Sequence, residues 1–147
     1  MTGRMAVGVV LAALACEPAP PAFTEALVLG GVRVEADELN AGQKLFMMHC
    51  ASCHGVDGSG RGPAARHLDP GPRDFRSGSF AYKSTPGDAL PTDADILQTL
   101  RSGVVRRGMP AWSAMRDEDL KALVSFIKTF SPRWREGAGD PATAPSE

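Results

Sequence analysis

The sequence predicts a small all-α fold, and three observations predict it. Leu120, Leu123, Val124, Ile127 and Phe130 recur at helical spacing behind the acidic triplet Asp117-Glu118-Asp119. A second helix is signalled over residues 93–101, with Thr92 as its cap, Ile96, Leu97 and Leu100 as its apolar face and Gly103 as its stop. No internal repeat and no strand-rich stretch competes with these signals.

The elements follow in chain order. Residues 1–15 read as an export signal: Arg4 is the positive charge, residues 5–14 form a short apolar run, and Ala13-Leu14-Ala15 is a small-x-small cleavage site. A run of about ten residues is too short to span a bilayer. Cys16 follows directly, in a segment (Leu11-Ala12-Ala13-Leu14-Ala15-Cys16) that resembles the lipobox of bacterial lipoproteins. Cys16 is then either a lipid anchor or an unmodified residue beside an ordinary cleavage site. Residues 16–36 form a Pro/Ala-rich linker, and over 27–34 either a short β-hairpin turning on Gly30-Gly31 or an extended continuation. Residues 37–135 form one domain, and the Gly/Ala/Pro/Ser-rich residues 136–147 read as a disordered tail.

Within the domain a first helix is predicted over residues 40–50, with Asn40 as N-cap and Leu45 and Phe46 opening its apolar face. Four glycines in residues 55–62 predict a closely folded loop. They do not make a phosphate loop, because no strand precedes them. Pro70, Pro72, Pro86 and Pro91 break the middle segment into loop with at most short helical turns. The last helix begins at the acidic triplet, where the helix dipole favours negative charge, and Pro132 stops it.

Residues 50–54 read Cys50-Ala51-Ser52-Cys53-His54. Cys-x-x-Cys-His is the attachment signature of c-type haem. Two thiols three positions apart can add to the two vinyl groups on one porphyrin edge, and the histidine that follows then lies under the ring as an iron ligand. A zinc site would need four ligands, and there is no second cysteine pair; a thioredoxin-like pair would need a βαβ context. The expected cofactor is therefore one haem c, covalently held by Cys50 and Cys53, with His54 as an iron ligand. A domain of about a hundred residues has a thin core, and a buried haem would supply apolar contact.

The second iron ligand decides the chemistry. Met109 in Gly108-Met109-Pro110 is the leading candidate: a flexible thioether on a constrained loop, well downstream of the haem motif. Met47, Met48 and Met115 read as packing or surface residues, and His49 sits too close to Cys50 to reach the far face of the ring. His67, or an open or water-bound position, stays as an alternative.

Cys50-x-x-Cys53-His54-Gly55, Gly108-Met109-Pro110 and a closing amphipathic helix together resemble a class I c-type cytochrome over residues 37–131, of the monohaem, exported bacterial kind associated with respiratory complexes. The resemblance implies a small cytochrome c fold, helices packed around the haem, in which the first and last helices cross beside it. It implies that Gly42 and Phe46 pack against Phe126, and that the carbonyl of Pro63 orients the His54 imidazole. Pro72-Arg73-Asp74-Phe75 and Leu90-Pro91-Thr92-Asp93 are similar to segments of bacterial respiratory-complex cytochromes, with Arg73 or Arg76 facing a propionate or simply solvated. Trp112 shields the haem edge or packs in the core, and Trp134 packs behind the last helix.

The function expected is one-electron transfer outside the cytoplasm, on a periplasmic or periplasm-facing membrane surface, between redox proteins or within a membrane respiratory complex. The alternatives are a haem-based sensor and a peroxidase-like enzyme with an open sixth iron site. Residues 58–110 hold eight basic against five acidic side chains, and Arg61, Arg66, Arg73, Arg101, Arg106 and Arg107 are expected either to ring the exposed haem edge and steer docking or to be a scattered solvated surface. Without the signal the chain carries 15 Lys+Arg (16 less Arg4) against 17 Asp+Glu, and a net charge near −2 argues against nucleic-acid binding.

Overall fold

The hairpin is present. In the computed structural model, which describes residues 20–135, β1 (Leu27–Leu29) pairs antiparallel with β2 (Val32–Val34), Leu29 opposite Val32. Gly30 and Gly31 turn the chain with φ of 64° and 81°, the positive pair that a two-residue hairpin turn requires. Two strands do not persist alone in water. Leu29 and Val34 are buried in the core, and the Gly30 N–H donates to the Trp134 carbonyl at 2.7 Å. The export signal, Cys16 and the tail 136–147 lie outside the described residues.

Helix α1 (Ala36–His49) starts four residues earlier than the sequence suggested. Glu35 is the extended residue ahead of it, and Asp37 and Glu38 place charge in its first turn. Asn40 is therefore an interior residue, not the cap. Its carboxamide clamps the preceding segment instead, accepting from the Phe23 N–H at 2.8 Å and donating to the Phe23 carbonyl at 2.9 Å. An asparagine that caps and one that clamps look the same in sequence. The helix ends at His49, and Cys50 bonds back to the Phe46 carbonyl. A single further turn, α2 (Ala51–His54), carries the cysteine motif.

The middle segment is loop with two 3-10 turns, Ala65–His67 and Phe75–Ser77. Helix α3 (Asp93–Ser102) opens on a capping box: Thr92 Oγ1 accepts from the Asp95 N–H, and the Asp95 carboxylate accepts from the Thr92 N–H. Ile96 and Leu100 are its buried face. Helix α4 (Asp117–Lys128) is the centre of the molecule. Leu120 and all seven residues from 122 to 128 are buried, since α1 covers one side and α3 another.

The α1–α4 crossing is a backbone contact. A Cβ at Gly42 would stand 2.7 Å from the Ala122 carbonyl carbon and 2.8 Å from Phe126 Cβ. Phe46, fully buried, packs on Phe126 with ring centroids 5.3 Å apart, so the expected Gly42–Phe46–Phe126 arrangement is found. Ser125 Oγ donates to Glu38 across the same crossing at 2.5 Å. At the far end of α4 the buried Lys128 ammonium bonds Asp93 at 2.7 Å and lies 4.8 Å from the Trp134 ring centre, which joins α3, α4 and the closing turn Pro132–Trp134. Among the described residues no helix is long and apolar enough to cross a membrane.

Candidate functional site

α2 is held by the glycine-rich loop that follows it. The Gly60 N–H donates to the His54 carbonyl at 2.7 Å, and the Gly62 N–H to the Cys53 carbonyl at 3.0 Å. A side chain at Gly62 would collide with the backbone of Ala51 and Ser52. The loop thus lies directly on the motif's main chain.

Cys50, Cys53 and His54 line one cavity, which encloses about 1080 Å³ free of protein atoms, including the part open to solvent. Ile96, Leu100 and Ile127 contribute apolar floor from α3 and α4. Met109 lines the same cavity. Its loop is pinned at both sides: Val104 and Met109 exchange backbone hydrogen bonds at 3.0 and 3.3 Å, and the Trp112 N–H reaches the Leu100 carbonyl at 2.9 Å. Gly108 turns at φ 81° against Leu68, where a Cβ would stand 2.5 Å from Leu68 Cδ2. The Val104–Met109 bridge had no signature in the sequence, because backbone groups carry none.

The rival ligands sit differently. His67 is exposed and accepts a hydrogen bond from Arg66 Nε at 3.0 Å, outside the lining. Met47, Met48 and Met115 are also outside it. His49 does border the cavity, its ring 5.1 Å from that of Trp112. Among the described residues no group of three or more His, Cys, Asp and Glu side chains gathers as a metal cluster.

His54 Nδ1 lies 3.4 Å from the carbonyl oxygen of Arg73, not of Pro63. Pro63 is exposed, while a Cβ at Gly60 would stand 3.1 Å from that same Arg73 oxygen, so the glycine loop draws the Pro72-Arg73 stretch onto the motif. Burial lowers the His54 pKa, and the bond to the Arg73 carbonyl opposes the shift in part. The imidazole is neutral at pH 7; with the proton on Nδ1, Nε2 keeps a lone pair for a metal. Burial and the neighbouring Cys53 push the Cys50 thiol up to about 11. As a free side chain it is a protonated thiol at neutral pH.

Arg73 and Arg107 line the cavity. Arg76 does not: it is tied to Asp74 at 2.7 Å and to Asp57 at 3.5 Å. Trp112 is half-buried at the cavity wall, and Trp134 is buried behind α4.

A neutral imidazole, a thioether and two thiols around one apolar recess form a donor set suited to haem. A family model described as cytochrome C oxidase, cbb3-type, subunit III, matches residues 37–127. The chain belongs to this c-type cytochrome family. The match covers both the cysteine motif and the Met109 loop. Membership in the c-type cytochrome family carries covalent haem c and haem-based electron transfer, and it fits a mostly helical fold with one short hairpin. The chain is 30% identical over 106 residues to thiosulfate dehydrogenase of Allochromatium vinosum, an alignment that takes in 67% of this chain. It spans about a third (34%) of that relative's length. Among solved structures it is similar to a chain of the Kuenenia stuttgartiensis reducing HAO-like protein complex Kustc0457/Kustc0458. The identity is 32% and the TM-score 0.65, covering 73% of this chain and 50% of that one. The c-type cytochrome KustC0563 aligns over 61% of this chain and 96% of its own, at 27% identity and a TM-score of 0.44.

Proposed function

We propose that the domain is a one-electron carrier holding a single haem c, attached through Cys50 and Cys53 and ligated by His54 and Met109. The observation that carries this reading is the gathering of these four side chains around one apolar cavity, with no competing methionine in its lining. Haem, when bound, supplies an iron centre that gains and loses one electron. The chain's own residues do the rest. Cys50 and Cys53 would anchor the haem, and His54, with its proton on Nδ1 facing the Arg73 carbonyl, would present Nε2. Ile96, Leu100 and Ile127 keep water away. Thioether ligation favours the ferrous state and raises the potential relative to two imidazoles.

The test is the visible and near-infrared spectrum of the purified ferric protein. A thioether-to-iron charge-transfer band is expected. A low-spin spectrum without it would indicate two histidines, and a high-spin spectrum an open iron.

The proposal extends to location and partners. The domain works outside the cytoplasm, tethered by a lipid on Cys16 that the mass of the mature N-terminal peptide would reveal, and exchanges electrons with redox proteins or a membrane respiratory complex. Arg61, Arg66, Arg73, Arg106 and Arg107 are without an ion-pair partner among the described residues, whereas Arg101 is bound to Asp117 at 2.7 Å. Of these, Arg73 and Arg107 line the cavity, and free cations there suit an acidic partner. Electron transfer to such a partner should slow by about tenfold from low to physiological salt, as screened steering predicts. A rate indifferent to salt would remove the electrostatic docking.

The 30% identity to thiosulfate dehydrogenase supports a second reading, an enzymatic module, which would need an open sixth iron site. Carbon monoxide separates the two, as well as the sensor alternative: a closed carrier does not bind it in the ferrous state.

A further inference from the structure

We propose that Phe75 is a positioning residue for the His54 imidazole, fixing the plane of the ring by stacking on its face. The inference rests on the reading of His54 as an iron ligand. The rings of His54 and Phe75 are nearly parallel, 16° apart, with centroids 4.5 Å apart. Phe80 and Phe130 also lie nearly parallel to Phe75, at 5.7 Å and 13° and at 6.2 Å and 24°. Offset parallel rings at this separation attract one another and resist rotation.

Phe75 borders the cavity and is held from the protein side. It is buried, and its backbone N–H donates to the Gly58 carbonyl at 2.8 Å. It opens the 3-10 turn Phe75–Ser77, which Asp74 caps through the Arg76 N–H at 3.0 Å and Gly78 closes in the left-handed region at φ 65°. Phe46 meets it at 64° with centroids 6.4 Å apart. The ring that faces the imidazole is thus a fixed wall.

One short segment therefore supplies two restraints. Arg73 offers its carbonyl to Nδ1, and Phe75, two residues on, offers its ring to the face. At 3.4 Å the hydrogen bond is long and leaves the ring free to swing about the N···O line. The stack closes that freedom. Groups that orient a histidine ligand tune the metal it holds. The plane of an axial imidazole selects which iron d orbital its π system overlaps. A fixed plane gives one sharp set of electron paramagnetic resonance g-values, and a freed plane gives a spread.

The experiment is low-temperature paramagnetic resonance of the ferric holoprotein, with thermal unfolding alongside, for wild type, Phe75→Leu and Phe75→Tyr. Leu fills much of the space without a ring; Tyr keeps the ring. In Phe75→Leu the low-field feature should shift and broaden at least twofold while the iron–methionine band persists, and Phe75→Tyr should restore the wild-type signal. Wild-type g-values and width in Phe75→Leu, with only a lowered melting temperature, would make Phe75 a packing residue and overturn the proposal. Should Phe75→Leu yield no holoprotein, Phe80→Leu replaces it: a smaller broadening supports the stack, and none overturns it. A wild-type protein with no low-spin histidine signature would sink the ligand reading as well, which sets that failure apart from this one.

Discussion

Met109→Ala should abolish the thioether-to-iron band, lower the midpoint potential by on the order of 0.2 V, and let the ferrous protein bind carbon monoxide. Axial ligands move haem potentials over roughly 0.8 V, so losing the thioether should take a sizeable part of that range. The expectation is sharp because the lining offers no substitute thioether: Met47, Met48 and Met115 are elsewhere. The fold should survive. Met109 is half-buried, so truncation should cost about 1–2 kcal/mol, below the 2–5 of a fully buried methionine. The Val104–Met109 bridge is made by backbone groups that alanine retains. A spectropotentiometric titration with and without carbon monoxide reads all three effects. An unchanged band and potential would take the ligand role from Met109. A variant that stays low-spin and closed would mean that another side chain of the domain takes the vacated position.

What could be read from the sequence follows from how local each signal is. The cysteine motif needs five consecutive residues. The α3 cap needs only Thr92 ahead of an apolar helical face, and the hairpin needs two glycines between apolar pairs. The motif and the cap were legible, and the hairpin was one of two readings left open. The α1–α4 crossing was legible only through resemblance, since nothing near Gly42 in sequence shows that Ala122 lies against it. Besides the Val104–Met109 bridge, three features escaped. The start of α1 was misplaced because Asn40 looks like a cap and is a clamp on Phe23. The carbonyl facing His54 was assigned to Pro63 and belongs to Arg73, because every residue carries a carbonyl and only the path of the loop chooses among them. The Phe75 stack escaped for a related reason. An aromatic in a proline-rich loop reads as packing until the ring it faces is known.

Gly42→Ala should destabilise the domain by about 2 kcal/mol or more and sharply reduce the yield of holoprotein. Two effects oppose each other. Alanine is the better helix former, worth up to about 1 kcal/mol at an interior helix position. Against it, the new methyl would meet the Ala122 carbonyl group and Phe126 Cβ well inside contact distance. Overpacking a core costs about 1–3 kcal/mol where side chains can shift. Here the obstacle is mainly the backbone of Ala122, which opens the continuously buried stretch 122–128 of α4, so the cost belongs at the upper end or beyond. Relief would need α1 and α4 to part, which would pull Phe46 off Phe126 and disturb the end of α1 from which Cys50 continues. Lys121→Ala, exposed on α4 beside Ala122, is the control, and the change should stay within about 0.5 kcal/mol. Denaturant unfolding followed by far-ultraviolet circular dichroism compares the two midpoints at matched slope. Equal midpoints would mean that the helices do not touch at Gly42, and the packing that sets the cysteine motif against the core would need another origin.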